Sequence, residues 1–234
     1  MHPVASPHPH DEPARDAPGR RLDLPAIEAP LRRVQREFAR INEELSPPRD
    51  PLADDVVDNM VAGYELVDIL ASSGIDPFTM GNLKYLLELN TTVLCGIDPA
   101  RREEYARHRQ STEERFYEAQ QGGIQDLVEW YEGRRGDSPW MLAAGVYVRL
   151  LSRPQLFVEG NHRTGALAMS YVLVRENEPP FVLTTENAAT YFDPSTVIQD
   201  TEKQGLAMLF RSPGLIRRLA SFLQEHSDRR YLRA

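Results

Sequence analysis

From Leu31 the apolar residues Leu31, Val34, Phe38, Ile41 and Leu45 recur at alternating steps of three and four. That is the period of one helical face, and Pro47 with Pro48 ends the run. A second helix is predicted from Leu52 to Ser72, with a broad apolar face from Val56 to Leu70 and a stop at Gly74. The two are expected to pair as a hairpin. Asn82 to Leu94 reads as a third helix that ends at Cys95 and Gly96, and Ala100 to Gln120 as a charged, exposed segment broken by Gly122 and Gly123. Ile124 to Trp130 makes a short helix. Ser138 before Pro139 is a strong start for the next, which runs to Ser152, because Ser caps free amides and Pro suits the first turn. After a loop, Thr164 to Glu176 is helical until Pro179 and Pro180, and Ser212 with Pro213 opens a last helix through Glu225. Phe181 to Thr184 is the one short extended candidate, so the pattern predicts an all-α fold.

Residues 1 to 22 carry almost no large apolar side chains, too few to offset the entropy of ordering, and read as a disordered tail. His2, His8 and His10 are taken there as solvated rather than as a metal site. With 234 residues, 41% of them hydrophobic, the rest suffices for one main core with a helical appendage. The longest apolar stretch, Met141 to Leu151, is interrupted by Gly145 and Arg149 and falls short of a membrane span. A single cysteine and the lack of an apolar leader make the cytoplasm the default expectation. A net charge of −8 argues against nucleic acid, whose binding is dominated by phosphate neutralisation.

The chemistry concentrates in LFVEGNHRTGALAMSY, residues 156–171, a polar glycine-containing loop between two apolar helices. Gly160, Asn161, His162, Arg163, Thr164 and Gly165 place pliant backbone, an amide, a guanidinium and a hydroxyl at a helix start. Free amides, the helix dipole and the planar donor fork of Arg suit a phosphate. Glu159 is placed to hold Mg²⁺ against the same phosphates. Ordinary capping explains the same residues about as well.

The segment resembles the signature of the Fic (Fido) family, HxFx[D/E]GNGRxxR, whose members mostly transfer AMP from ATP to a protein hydroxyl. Phe157, Glu159, Gly160, Asn161 and Arg163 stand where that pattern wants them. The resemblance covers Gly81 to Leu223 and implies an all-α Fic-like helical domain at 81–234, preceded by an N-terminal helical extension at 23–80. Three positions depart from it. Gln155 stands for the family histidine, His162 for the second loop glycine, and Ala166 for the final arginine. The resemblance gives that histidine the proton of the attacking hydroxyl. A Gln amide accepts no proton at physiological pH, and loss of a general base costs ~10²–10⁴ in rate. Ordinary AMP transfer is therefore expected to be lost or strongly reduced.

Upstream, Thr91, Thr92, Val93, Leu94, Cys95 and Gly96 resemble the family's [S/T]xxxE[G/N] inhibitory helix, with Cys95 in place of its glutamate. That glutamate pairs in the family with the final arginine, here Ala166, so both halves of the ion pair are missing and neither is left as a buried lone charge. His162 has three readings: phosphate contact, structural filling, or a replacement base near neutral pKa. Tyr191 resembles a family tyrosine on the adenine side and is equally a core residue, while Trp130, Tyr131 and Trp140 read as core aromatics.

These observations lead to three competing expectations. The first is a binding or regulatory protein for a nucleotide or other phosphorylated small molecule, with Mg²⁺ as companion ion and AMP transfer retired. The second is an active transferase of AMP or another phosphate-linked group that uses a different base on a target protein. The third is a helical interaction module with a vestigial loop. Homodimerisation is left open.

Overall fold

A computed structural model describes residues 22–45, 48–118, 123–192 and 206–233 of the chain. The described part is all-α: helices α1 (Leu24–Glu43), α2 (Asp54–Ser72), α3 (Lys84–Cys95), α4 (Pro99–Glu104), α5 (Ala106–Glu118), α6 (Ile124–Glu132), α7 (Pro139–Leu151), α8 (Asn161–Arg175) and α9 (Leu206–Glu225), then a 3₁₀ turn at Arg229–Tyr231. Residues 188–192 are also helical. An isolated β-bridge joins Leu22 and Leu232. No described helix is long and apolar enough to cross a membrane.

The periodic face predicted for α1 is the face it buries: Leu31, Val34, Phe38, Ile41 and Leu45 are all sequestered. The helix begins seven residues earlier than that face. The Asp23 carboxylate caps the Ala26 amide, Pro25 occupies the first turn, and the chain continues helically through Pro30. The expected tail boundary also shifts. Leu22 is buried, and its amide donates to the buried Asp68 carboxylate, while Asp23 N donates to Tyr231 O. The rest of that tail, with His2, His8 and His10, lies outside the described residues. α2 ends as read, in a Schellman turn: Gly74 takes φ 65°, Ile75 N bonds Leu70 O and Gly74 N bonds Ala71 O.

α7 and α8 form the central antiparallel pair, with α9 and α6 packed on α7 and with α2 and α3 on α8. α8 is buried continuously from Thr164 to Val174, so it has no solvent face. The Ser138 hydroxyl accepts from Met141 N and Pro139 fills the first turn of α7, as the sequence indicated. One buried cluster runs from Leu22 to Tyr231, so the two N-terminal helices share the core of the rest. The expected core aromatics fit this: Tyr131 is fully buried, and Trp130 and Trp140 pack against the cluster.

Three local expectations are corrected. Residues 181–184 pair with no strand; Phe181 O accepts instead from the Tyr64 and Ser170 hydroxyls, so side chains do the work of a ladder. α9 does not start at Ser212, because Pro213 lies inside it and a proline removes only one helical hydrogen bond. α5 is not wholly a solvated face. Thr112 and Phe116, one turn apart, are buried, and Phe116 stacks on Phe157 with ring centroids 5.7 Å apart.

The α6–α7 crossing depends on Gly145. A Cβ there would stand 2.0 Å from the Trp130 ring, which also lies beneath the Arg149 guanidinium. Gly145→Ala gains up to ~1 kcal/mol of helix propensity but overpacks a rigid ring, at ~1–3 kcal/mol. We expect net destabilisation of about 1–2 kcal/mol in urea unfolding; an unchanged midpoint would show that the ring moves aside freely.

Candidate functional site

The loop at 155–160 makes few backbone hydrogen bonds of its own, and side chains from three helices supply the rest. Asn161, at the start of α8, folds its amide back: Oδ1 accepts from Phe157 N at 3.0 Å, and Nδ2 donates to Phe157 O at 2.8 Å and to Gln155 Oε1 at 3.2 Å. From α3, Asn90 Nδ2 donates to Glu159 O and to Thr164 Oγ1. From α5, Arg115 donates through Nε and an Nη nitrogen to Gln155 O. Gly160 turns the chain into α8 at φ 74°, ψ 9°, a left-handed conformation that glycine adopts without strain.

Asn161 is therefore a clamp for the loop, and Thr164, fully buried, is an acceptor for Asn90. Gly165 provides a close approach, and what approaches is the Tyr147 ring, 2.9 Å from a notional Cβ. Phe157 is the loop's apolar anchor. Gln155 is half-buried, with its amide oxygen engaged by Asn161.

His162 points away from the loop mouth. Its Nδ1 lies 3.1 Å from the Tyr147 hydroxyl, and burial, seconded by the charges of Arg49 and Arg163, pushes its pKa down to about 4. With Ala166, Tyr191 and Phe192 it lines a pocket of about 100 Å³, almost wholly apolar, against α1 and α2. That is below the ~300 Å³ lower range of ligand pockets, so the pocket admits no whole nucleotide. Tyr191 packs between Tyr147 and Phe181 and donates to His162 O at 3.4 Å.

Arg163 bears most directly on anion binding. One Nη donates to Val93 O at 2.7 Å, near the C-terminal end of α3, where the helix dipole favours a cation. Burial lowers its pKa, opposed by Glu159 and Asp55, yet it forms no ion pair among the described residues. The guanidinium also lines the apolar pocket beside His162 and Ala166. Glu159 is 61% exposed at the side chain, and its carboxylate lies 3.9 Å from His108 Nε2. No group of three or more His, Cys, Asp or Glu side chains gathers as a metal site among the described residues. Glu159 offers Mg²⁺ one carboxylate, a donor set that fits only where phosphate oxygens and water complete the shell.

The α3 segment places Thr91, Thr92 and Cys95 in the core and ends at Gly96, φ 68°. Cys95 Sγ donates to Thr91 O, and burial raises its thiol pKa against the pull of Arg102, so it behaves as a small buried side chain. Arg102 caps this end by donating to Gly96 O and Thr92 Oγ1 while pairing with Glu88 at 2.7 Å. Sequence reasoning missed Asn90, Arg115 and His108. None belongs to the motif, and only their helical registers, one turn apart along the face of α5 in the case of His108 and Thr112, signal that they converge on it.

The buried imidazole has a pH consequence. His162 binds its proton near 6.5 in the unfolded chain and near 4 in the folded one, so its contribution is intact above 6.5 and is lost as pH falls toward 4. The loss amounts to about 3 kcal/mol at most. Urea titrations between pH 7.5 and 4 should show this slope, and His162→Gln should flatten it; an equal slope in the variant would mean that His162 is solvated.

A scan against protein-family models and searches of curated proteins and of solved structures find no match, so the family resemblance rests on the motif residues themselves.

Proposed function

We propose that this chain is a Fic-like helical protein that binds a nucleotide or another phosphorylated ligand at the first turn of α8, with ordinary AMP transfer lost. The observation that carries the reading is Arg163. A guanidinium taken largely out of water, with Glu159 and Asp55 drawing on it but no ion pair formed among the described residues, is costly, and an anion beside it offsets that cost. Its neighbours agree with this role. Gly160 opens α8, whose positive dipole end lies next in sequence to Arg163, and the exposed Glu159 would hold Mg²⁺ against bound phosphate. The metal would supply charge neutralisation; the chain supplies the amides and the guanidinium.

The reading of lost transfer rests on residue 155. Its side chain is an amide whose oxygen already accepts from Asn161, so it serves the loop's shape and has no basicity to offer a hydroxyl nucleophile. His162 does not replace it, because its Nδ1 is engaged by Tyr147 and its ring is buried away from the rim. Ala166 lines the apolar pocket and, where the family pattern has an arginine, offers a terminal phosphate no donor of its own.

Calorimetric titration with ATP, other nucleotides and phosphorylated metabolites, each with and without Mg²⁺, tests the binding. Arg163→Ala should weaken it by about 1.5–3 kcal/mol, the range for a charged hydrogen bond, with circular dichroism confirming that α3 stays docked. No binding of any phosphorylated ligand at millimolar concentration would sink the site. Radiolabelled ATP tests the chemistry: wild type should leave itself and lysate proteins unlabelled, and Gln155→His should label weakly. Equal labelling by wild type would put a different base, and an active transferase, first.

A further inference from the structure

The loop adjoins a second concavity, a cleft of about 180 Å³ between α3 and α5. Asn90 and Leu94, which touch Gly160, form one wall, and His108 and Thr112 form the other. Two polar atoms in that second wall are buried and make no hydrogen bond among the described residues: Thr112 Oγ1, on a residue only 3% exposed, and His108 Nε2, which has the Glu159 carboxylate 3.9 Å away. They sit one helical turn apart, on the same face of α5. Opposite them, Asn90 spends both amide hydrogens on Glu159 O and Thr164 Oγ1, which leaves its carbonyl oxygen as a further acceptor. A buried hydroxyl left unpaired is a standing cost, and Thr112 Oγ1 with His108 Nε2 and the Asn90 carbonyl around one cavity describe a place for a partner with hydroxyls of its own.

The chemistry of that partner follows from the walls. No Phe, Tyr or Trp lines the cleft, so a nucleobase has no stacking surface there. At ~30 Å³ per water the volume admits a few waters or one small ring. Thr112 both donates and accepts, Asn90 Oδ1 accepts, and His108 Nε2 does either according to its tautomer; a polyol matches this mixed set. Through Asn90 and His108 the cleft opens beside Glu159 and Gly160, where the preceding section places a phosphate.

From this juxtaposition we infer that the α3–α5 cleft holds the hydroxylated part of a phosphorylated polyol, a sugar phosphate, whose phosphate sits at the first turn of α8. The inference rests on the anion site at the loop. It adds that the sugar, and no base, is what this chain recognises beyond the phosphate.

The test compares inorganic phosphate, ribose, ribose 5-phosphate and ATP by calorimetry on the full chain and on Thr112→Val, Thr112→Ser and Arg163→Ala. Ribose 5-phosphate should bind wild type about tenfold tighter than phosphate, the order expected for one or two neutral hydrogen bonds. Thr112→Val should erase that advantage without weakening phosphate, Thr112→Ser should keep it, and Arg163→Ala should weaken both anions. ATP should gain no more over phosphate than ribose 5-phosphate does. Phosphate binding with no added affinity for the sugar would overturn the cleft and spare the anion site. Ribose binding without phosphate binding would do the reverse, leaving the cleft a free sugar site. A Thr112→Val protein that melts higher but binds every probe as wild type does would show that the hydroxyl serves only buried water.

Discussion

The site is held in shape by the Asn161 carboxamide, which lies buried under the loop it follows and bonds both the amide and the carbonyl of Phe157. A loop between two buried helices cannot leave its backbone polar groups unpaired, and residues 155–160 are too irregular to pair them with one another. Asn161 satisfies two at once because its side chain carries a donor and an acceptor side by side, as a peptide does. The turn at Gly160 brings the carboxamide beneath Phe157. Once it is there, Phe157 meets Phe116, Gln155 meets Arg115 and Glu159 O meets Asn90, so the helices around the site dock on a loop whose centre Asn161 holds.

Much of the fold could be read along the chain. The buried face of α1, the Ser138 cap and the Gly74 stop each depend on residues within a few positions of one another, the range over which periodicity and capping operate. What escaped lies at long range. α5 is so charged that Thr112 and Phe116 look incidental, yet those two residues decide which face docks. α9 runs through Pro213 and α1 through Pro30, because tertiary packing overrides a breaker that costs a single hydrogen bond. In the loop the residue types were legible and their directions were not. Asn161 and Thr164 turn inward to protein partners, His162 turns to Tyr147, and Arg163 reaches Val93 O at the end of α3.

Relative to the pattern the loop resembles, glutamine for histidine at 155 and alanine for arginine at 166 each leave one ionisable group fewer, while His162, where the pattern has glycine, adds one whose pKa burial pushes down to about 4. At 95 a cysteine with a raised thiol pKa stands where that pattern has a carboxylate. Ala166 and Cys95 thus form an internally consistent pair, since neither an acid nor a base is stranded in the core. Arg163 is the exception, a cation kept where burial disfavours it.

On the proposed reading, Arg163 would couple ligand binding to the arrangement of α3. Its guanidinium donates to Val93 O, and Asn90, two turns into the same helix, holds the loop from the other side. An anion drawing on the free donors of Arg163 would strengthen its positive character and with it the charge-assisted bond to the helix end. A ligand at the α8 first turn would therefore tighten α3 against the loop, and any species that binds only the folded chain adds to its stability by mass action. α3 is also one wall of the cleft that carries Thr112 and His108 on the other. Phosphate binding and engagement of that cleft would consequently draw on the same helix, and a ligand that met both would position α3 more firmly than either group does alone.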